Sequence, residues 1–512
     1  MSDEQMRQEV QHLICSSSQN AFSRGGQTLF LDFNVHTGVP NYLKDIEAIG
    51  AGGEYTGRTY GDYEETAQRF CKAMLDVWRE GDENGNLFAF PKCDLHINED
   101  TFKDPKQREL LDYACQIASE NGVPYFIFDR DEVTLSACCR LRTTIRDKTK
   151  IENPESMRFC GFQNITLNLP QCALRAGAGN WDAFHEEVDE MIELAVQAHL
   201  QQKRFIRTLM TDPSKPLWQI VKEAADGLPY VDLDKATYII GLIGLNECLQ
   251  HMTGTELHEE RGQIRTGLKL VRRIQQRAKE LGEEHGLKIS LEESPAESAT
   301  RRLAKMDMKR FPEAKKLVKG EIDEDEMYYT NSIHMRADAP VDILERIKKQ
   351  SKFHRAIESG AIIHAFVGEE LPPAPSIRNL VEKTFHKTRA AQITISPEFT
   401  VCHECNRMTP GLKDQCGHCS SEDVHGLTRV VGYFSRIDDW NKSKVGELKD
   451  RQEGDYSVAS AVGVPEKAES PSAEPAEETA GESADDPTGE TAGAAAEAQT
   501  AGGSGQQPLW NG

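Results

Sequence analysis

The 512-residue sequence has no run of eighteen apolar residues, so no segment reads as a membrane-spanning helix. Its first ten residues, MSDEQMRQEV, have neither a basic start nor an apolar stretch and do not read as a secretory signal. Basic residues are the minority, 60 Lys and Arg against 83 Asp and Glu, for a formal net charge of −23. A chain of that sign is not expected to bind nucleic acid by broad phosphate neutralisation. There is no Walker-type phosphate loop, no dinucleotide fingerprint and no repeat of solenoid length. What these absences leave is a globular chain expected to be cytoplasmic. With 38% hydrophobic and 28% charged residues, a packed body is expected. Cysteine is plentiful. Thirteen is an odd number in a chain too long to need a disulfide framework, so reduced thiols for metal binding or catalysis are expected.

The charge is uneven. From Gln452 to Gly512 twelve acidic residues face Lys467 alone, so this stretch carries −11 of the −23. It has almost no large apolar side chains, and burial there cannot offset the entropy of ordering, so a disordered acidic tail is expected over 452–512. The body alternates strand-like runs (Thr28–Val35, Tyr125–Phe128, Ile165–Leu169, Thr237–Leu245, Ile289–Leu291, Ile362–Val367) with helical patterns. Phe184, Val188, Met191, Ile192, Ala195 and Val196 form one apolar stripe at helical spacing. Glu259–Leu281 reads as a charged helix with Gly282 as its stop. The alternation predicts an α/β body with substantial parallel pairing, as a sheet or a barrel.

Two CxxC pairs, Cys402/Cys405 and Cys416/Cys419, stand ten residues apart. Four thiolates complete a tetrahedral Zn²⁺ site with no open position, so the zinc is expected to be structural. His403 and His418 lie inside the knuckles and are expected outside the ligand set.

Thirteen residues after Cys419 comes Gly432, in RVVGYF, followed by SRIDDWNKSKVGELKDR. A glycine loop of this kind directly behind a four-cysteine ribbon resembles the C-terminus of the anaerobic (class III) ribonucleotide reductases, a glycyl radical enzyme family. Ser23–Thr28 (SRGGQT), Asn164–Pro170 (NITLNLP), Gly244–Glu247 (GLNE) and Tyr328–Ser332 (YYTNS) look like stretches of the same family, which extends the resemblance over residues 20–451. The resemblance implies that Gly432 stores a stable radical installed by a separate radical-SAM activase. Glycine suits that role, because a planar Cα radical delocalised over its flanking amides has no side chain to crowd it. The stretch Leu135–Arg142 (LSACCRLR) resembles the family's cysteine loop, and the cysteine before the arginine, Cys139, matches the thiyl position. Its neighbour Cys138 gets no role, and Asn164 is a candidate substrate contact that could equally satisfy a turn. Most of the other seven cysteines sit in apolar or helical settings, where buried, inert thiols are the default expectation.

The implied fold is part of a ten-stranded α/β barrel over 1–395, a Cys₄ zinc ribbon over 396–421, the glycyl radical loop over 422–451 and the tail. The implied reaction is the reduction of ribonucleoside triphosphates to deoxyribonucleotides. Formate is the expected reductant, because Leu141 stands where a dithiol-protein-using subgroup carries glutamate. Family members carry a long region ahead of the SRGGQ stretch, so an N-terminal partner polypeptide completing the barrel is expected, as is a homo-oligomer. Two alternatives stand beside this reading. One is another glycyl radical enzyme of the pyruvate formate-lyase type, suggested by adjacent Cys138 and Cys139. The other is an inactive fragment acting as a zinc-ribbon binding module.

Overall fold

The computed structural model describes residues 1–20, 29–130, 133–137, 141–145, 148–224, 226–294 and 296–462. The SRGGQT stretch, Cys138, Cys139 and residues 463–512 lie outside them.

Two sheets carry the fold. The first contains β1 (Asp32–His36), β4 (Lys92–Ile97), β5 (Pro124–Phe128), β12 (Gln392–Pro397) and β11 (Ile363–Gly368), in the order β1-β4-β5-β12-β11. Strands β1, β4 and β5 are mutually parallel, β11 and β12 are parallel, and β12 runs antiparallel to β5. The second sheet is all parallel, in the order β10-β9-β8, with β8 (Gly161–Asn168), β9 (Thr237–Ile243) and β10 (Lys288–Glu293). The sheets join where Ser359 N–H donates to Leu291 O (2.9 Å) and Glu293 N–H to Gly360 O (3.1 Å), just ahead of β11. Eight strands among the described residues thus form one continuous run. Short antiparallel hairpins complete the list: β2 (Glu47–Ile49) with β3 (Tyr55–Thr59), and β6 (Val133–Ala137) with β7 (Leu141–Ile145). The C-terminal sheet is β14-β13-β15-β16, with β13 (Phe399–Cys402), β14 (Met408–Pro410), β15 (Val424–Arg429) and β16 (Phe434–Arg436).

The outer faces are apolar. Phe33, Val35, Cys93, Leu95, Ile97, Phe126, Phe128, Ile393 and Ile395 belong to one core, packed under helices Glu64–Glu80, Pro105–Asn121 and Ala374–Lys387. Leu167, Tyr238, Ile240, Leu242, Ile289 and Leu291 belong to a second core, under helices Trp181–Thr211 and Arg261–His285. The expected stripe is the inner face of helix Trp181–Thr211: Phe184, Val188, Ile192, Ala195 and Val196 are buried.

The opposite face is unusual. Parallel strands covered by helices are normally apolar on both sides. Here alternate residues are polar: Asp32, Asn34 and His36 on β1, Lys92, Asp94 and His96 on β4, Asn164 and Thr166 on β8, and Gln392, Thr394 and Ser396 on β12. Period-two side-chain alternation puts each set on one face. The two sheets therefore enclose a polar wall rather than a second oil-like core.

Three expectations need correction. The charged helix runs Arg261–His285 and stops at Gly286, which is left-handed at φ 64°. Gly282 lies inside it, where a Cβ would stand 2.6 Å from Leu287 O, so it marks a close approach to the returning strand. The sequence reading also passed over β4 and β12, whose polar alternation hides them. Finally, order does not end at 452: Tyr456 and Val458 are buried in the first core and helix Val458–Val462 follows. Tyr456 donates its hydroxyl to Ala337 O (2.8 Å), so the tail expected from 452 is packed at least to Val462.

Candidate active site

Gly432 sits in the tight turn between β15 and β16, whose last paired residues are Arg429 and Phe434. The turn is closed by Val430 N–H donating to Tyr433 O at 3.1 Å. Val430, Val431 and Gly432 are all buried. The glycine carbonyl accepts from the Arg429 guanidinium (2.9 Å) and from the Tyr125 hydroxyl on β5. Arg429 is held between two rings, 4.3 Å from the centroid of Tyr125 and 4.2 Å from that of Phe434, and also donates to Gly122 O and Tyr125. A guanidinium is at home in such a place because its faces stack while its edge donates.

The helix after the loop, Lys442–Glu453, starts at Asn441, whose side chain accepts from Lys444 N–H. It turns Lys444, Glu447 and Arg451 onto one face, the i, i+3, i+7 spacing of a helix side. All three are buried. Arg451 donates to Arg429 O and Val430 O, 2.7 Å each, so it clamps the backbone just before Gly432. Glu447 accepts from Lys444 (2.5 Å), Arg451 (2.5 Å) and Asn331 (3.0 Å). Burial alone would raise the Glu447 carboxyl, but the Lys444 and Arg451 charges and their hydrogen bonds pull it down to about 2. A depressed carboxyl contributes stability that is complete above its ordinary value near 4.5 and is lost as pH falls through 2. The expected contribution is roughly 3 kcal/mol. Urea unfolding of the parent and of Glu447→Gln should therefore differ clearly at pH 7 and converge toward pH 2.

A cavity of ≈ 50 Å³ lies behind the loop, between Val430, Val431, Glu447 and Arg451 on one side and His334 and His364 on the other. That holds water but not a nucleotide. Substrate-sized space must be sought along the polar wall.

Cys139 lies outside the described residues, but the hairpin that carries it does not. Residues 138–140 form the link between β6 and β7. Ser136 on β6 exchanges two bonds with the Asn34 side chain on β1: its N–H donates to Oδ1 (2.7 Å) and its O accepts from Nδ2 (2.9 Å). Asn34 is the register partner of Asp94, and Asp94 of Tyr125. The hairpin's anchor and the tyrosine that holds Gly432 thus share one cross-strand row, two strand spacings or about 10 Å apart.

Asn164 is not a turn residue. It lies within β8, donates Nδ2–H to Glu292 (2.5 Å) and accepts from Thr166 (3.2 Å). Between Asn164 and Ser294, on the strand that separates them, stands Gly241. A Cβ there would overlap Ser294 Oγ and Asn164 Oδ1 and come within 2.9 Å of Asn164 Nδ2. Gly241→Ala should cost about 1–3 kcal/mol in urea unfolding, as overpacking does, and displace Asn164 from the wall.

The four cysteines converge. Cys402 Sγ lies 3.6 Å from Cys419 Sγ, and Cys405 Sγ 3.6 Å from Cys416 Sγ. All four sulfurs fall within 4.8 Å of one another. A tetrahedral ion with 2.3 Å bonds sets sulfurs about 3.8 Å apart, whereas a disulfide needs about 2.05 Å. Backbone N–H groups of Cys405 and His418 point at Cys402 and Cys416 sulfurs (3.5 and 3.3 Å), as they do around thiolates. The set fits one metal ion with no ligand position left open. Elsewhere Cys71, Cys93, Cys115, Cys172 and Cys248 are buried, and burial pushes the Cys71 and Cys172 thiols up to about 12, so they are inert.

Tyr125, Arg429, Glu447, Arg451 and Gly241 were not singled out from the sequence. Only the helix charges carried a readable signal, in their shared face.

The family model for anaerobic ribonucleoside-triphosphate reductase matches residues 1–453. The anaerobic ribonucleoside-triphosphate reductase of phage T4 is 21% identical over 427 residues, covering 77% of this chain and 67% of that protein. Those of Salmonella typhimurium and Escherichia coli are both 23% identical, with 72% and 56% of this chain aligned. The chain spans only 54% and 41% of those two relatives' lengths. Among solved structures, an anaerobic ribonucleotide reductase superposes with a TM-score of 0.65 at 20% identity, over 92% of this chain and 67% of that one. The Thermotoga maritima anaerobic enzyme with dATP in its specificity site gives 0.65 at 20%, over 86% and 69%. No helix among the described residues is long and apolar enough to cross a membrane. With the glycine loop, the cysteine ribbon and a family match over almost all of the described body, the chain belongs to the anaerobic ribonucleoside-triphosphate reductases.

Proposed function

We propose that this chain carries the radical half of an anaerobic ribonucleoside-triphosphate reductase. The observation that carries the reading is the buried turn at Gly432, its carbonyl held by Arg429 and Tyr125 and its approach clamped by Arg451. Such a turn suits a stored Cα radical. Donors on the carbonyl keep the peptide planar and favour delocalisation, and burial keeps oxygen and water away.

In this reading Gly432 stores the radical and Cys139 exchanges a hydrogen atom with it. The Cys139 sulfur then takes the ribose 3′-hydrogen, and the 2′-hydroxyl leaves as water with one proton. Formate supplies the two electrons and leaves as carbon dioxide, after which the 3′-hydrogen returns. Asn164, on the polar wall, contacts the ribose or formate. Zinc fills the Cys₄ site in a structural role. A radical-SAM activase installs the radical. The free edges of β1 and β8 in the strand order are where two further strands would complete a ten-stranded barrel, supplied by an N-terminal partner polypeptide, in a cytoplasmic homo-oligomer.

The test is an anaerobic assay of the full chain with activase, formate and a ribonucleoside triphosphate, with and without the partner. The expected product is the deoxyribonucleotide, dependent on the partner. A radical signal with partner present but no deoxynucleotide would overturn the reading, and acyl cleavage would favour the pyruvate formate-lyase alternative.

A further inference from the structure

At the C-terminal ends of β1, β4 and β5 stand His36, His96 and, just past β5, Asp129. Their ligand atoms all lie within 4.8 Å of one another. The imidazoles stack with centroids 4.6 Å apart and planes at 28°. His96 Nδ1 lies 2.6 Å from Asp129 Oδ2, and Nε2 lies 2.8 Å from Asn34 Oδ1.

The orientation of Asn34 is not free. Its amide is fixed by the two bonds to the Ser136 backbone, where donor and acceptor cannot exchange roles. Oδ1 therefore faces His96, and His96 Nε2 must carry a hydrogen and donate it. A neutral imidazole then presents its lone pair at Nδ1, straight at a carboxylate oxygen. Two lone pairs at 2.6 Å repel unless a cation lies between them. His96 is 1% exposed, so bulk water cannot relieve the contact. The cation is either a proton or a metal ion.

Three features favour the metal. His36 brings a third donor to the pair, which a shared proton does not require. Two imidazoles and one carboxylate form an established donor set for zinc and neighbouring divalent ions. The outer contacts are those that orient ligands: Asn34 accepts the distal N–H of His96, and Asp129 Oδ1 accepts from the Thr134 hydroxyl.

We infer that His36, His96 and Asp129 bind a divalent transition-metal ion of the zinc class at the root of the hairpin that carries Cys139. Bonds of about 2.0–2.2 Å in a tetrahedral site require an N···O separation of ~3.4 Å, so Asp129 draws back by about 0.8 Å. The ion ties the ends of β1, β4 and β5 together. Through Thr134 and Asn34 it also fixes both anchored residues of β6. Three protein donors leave a fourth position for water.

The test is metal content of the full chain, purified without oxygen, loaded with zinc(II) and dialysed free of loose metal. Two equivalents are expected, one in the Cys₄ site and one here. His36→Ala and, independently, Asp129→Asn should each lower the content to one. Loading with cobalt(II) should give thiolate charge-transfer bands plus a weaker band from the nitrogen–oxygen site, and only the weaker band should vanish in either variant. One equivalent in the parent overturns the inference and leaves a shared proton as the cation, and so do two equivalents that survive both substitutions. One equivalent in the parent overturns the inference whether or not the variants fold, and if one variant fails to fold the other still locates the second ion.

Discussion

Gly432→Ala is expected to abolish deoxynucleotide formation and the radical signal to the limit of detection while leaving a folded, metal-loaded chain. Gly432 is not among the glycines with positive φ, so its backbone conformation does not demand glycine. What demands it is the chemistry proposed for the Cα. A radical centre there is planar, and an alanine methyl would lie in the plane of the two flanking peptides, against the carbonyl that Arg429 and Tyr125 hold in place. The parent should show a doublet in electron paramagnetic resonance after activation, and exposure to air should cut its backbone at residue 432. The variant should show neither. Activity within tenfold of the parent would remove Gly432 from the mechanism. Zinc content and far-ultraviolet circular dichroism, unchanged between the two, would show that the loss is chemical and not a failure to fold.

Those readings differ in how visible they were before the fold was known. The cysteine spacing and RVVGYF are local, and the short range of a CxxC knuckle or a hairpin turn makes them legible in one dimension. The helix stripe from Phe184 to Val196 was legible for the same reason. The polar wall was not. DFNVH was legible only as part of the Thr28–Val35 run and KCDLHI not at all, because half of the latter's residues are polar, and only the register of β1, β4 and β5 shows the polar residues standing in rows. Arg429 lies 304 residues from Tyr125 and 307 from Gly122 in sequence, and no local pattern links it to them. Glu447 and Arg451 are charged residues whose burial no local pattern announces. Their burial follows from Arg429 and Val430 offering carbonyls that the β15–β16 turn cannot satisfy. The packing of residues 456–462 was missed because composition described the whole stretch from 452, while Tyr456, Val458 and Val462 are single apolar residues that join the first core.

Removal of the metal from the Cys₄ site is expected to cost all activity while sparing the two large sheets. The ribbon is continuous with the glycine loop. Cys402 ends β13 and pairs with Val424 at the start of β15, and β15 leads directly to Arg429 and Gly432. This C-terminal sheet has strands of three to six residues, and most of β15 is only half-buried. Such a sheet buries too little apolar surface to hold itself, so metal binding supplies much of its folding free energy. The far end is anchored differently, by Arg429 between Tyr125 and Phe434 and by the Arg451 clamp. With the ion gone, the knuckle end opens while that anchor holds against a frayed strand, and the position of Gly432 is no longer fixed. Cys416→Ser, or a strong chelator on the parent, should therefore expose new protease sites between 402 and 429 and lower the radical yield to background. The helical signal should change little, because the two large cores contain no residue of the knuckles. Full radical yield from chain shown to be metal-free would mean that the Arg429 and Arg451 anchors alone position the glycine, and the ribbon would then be a separate module.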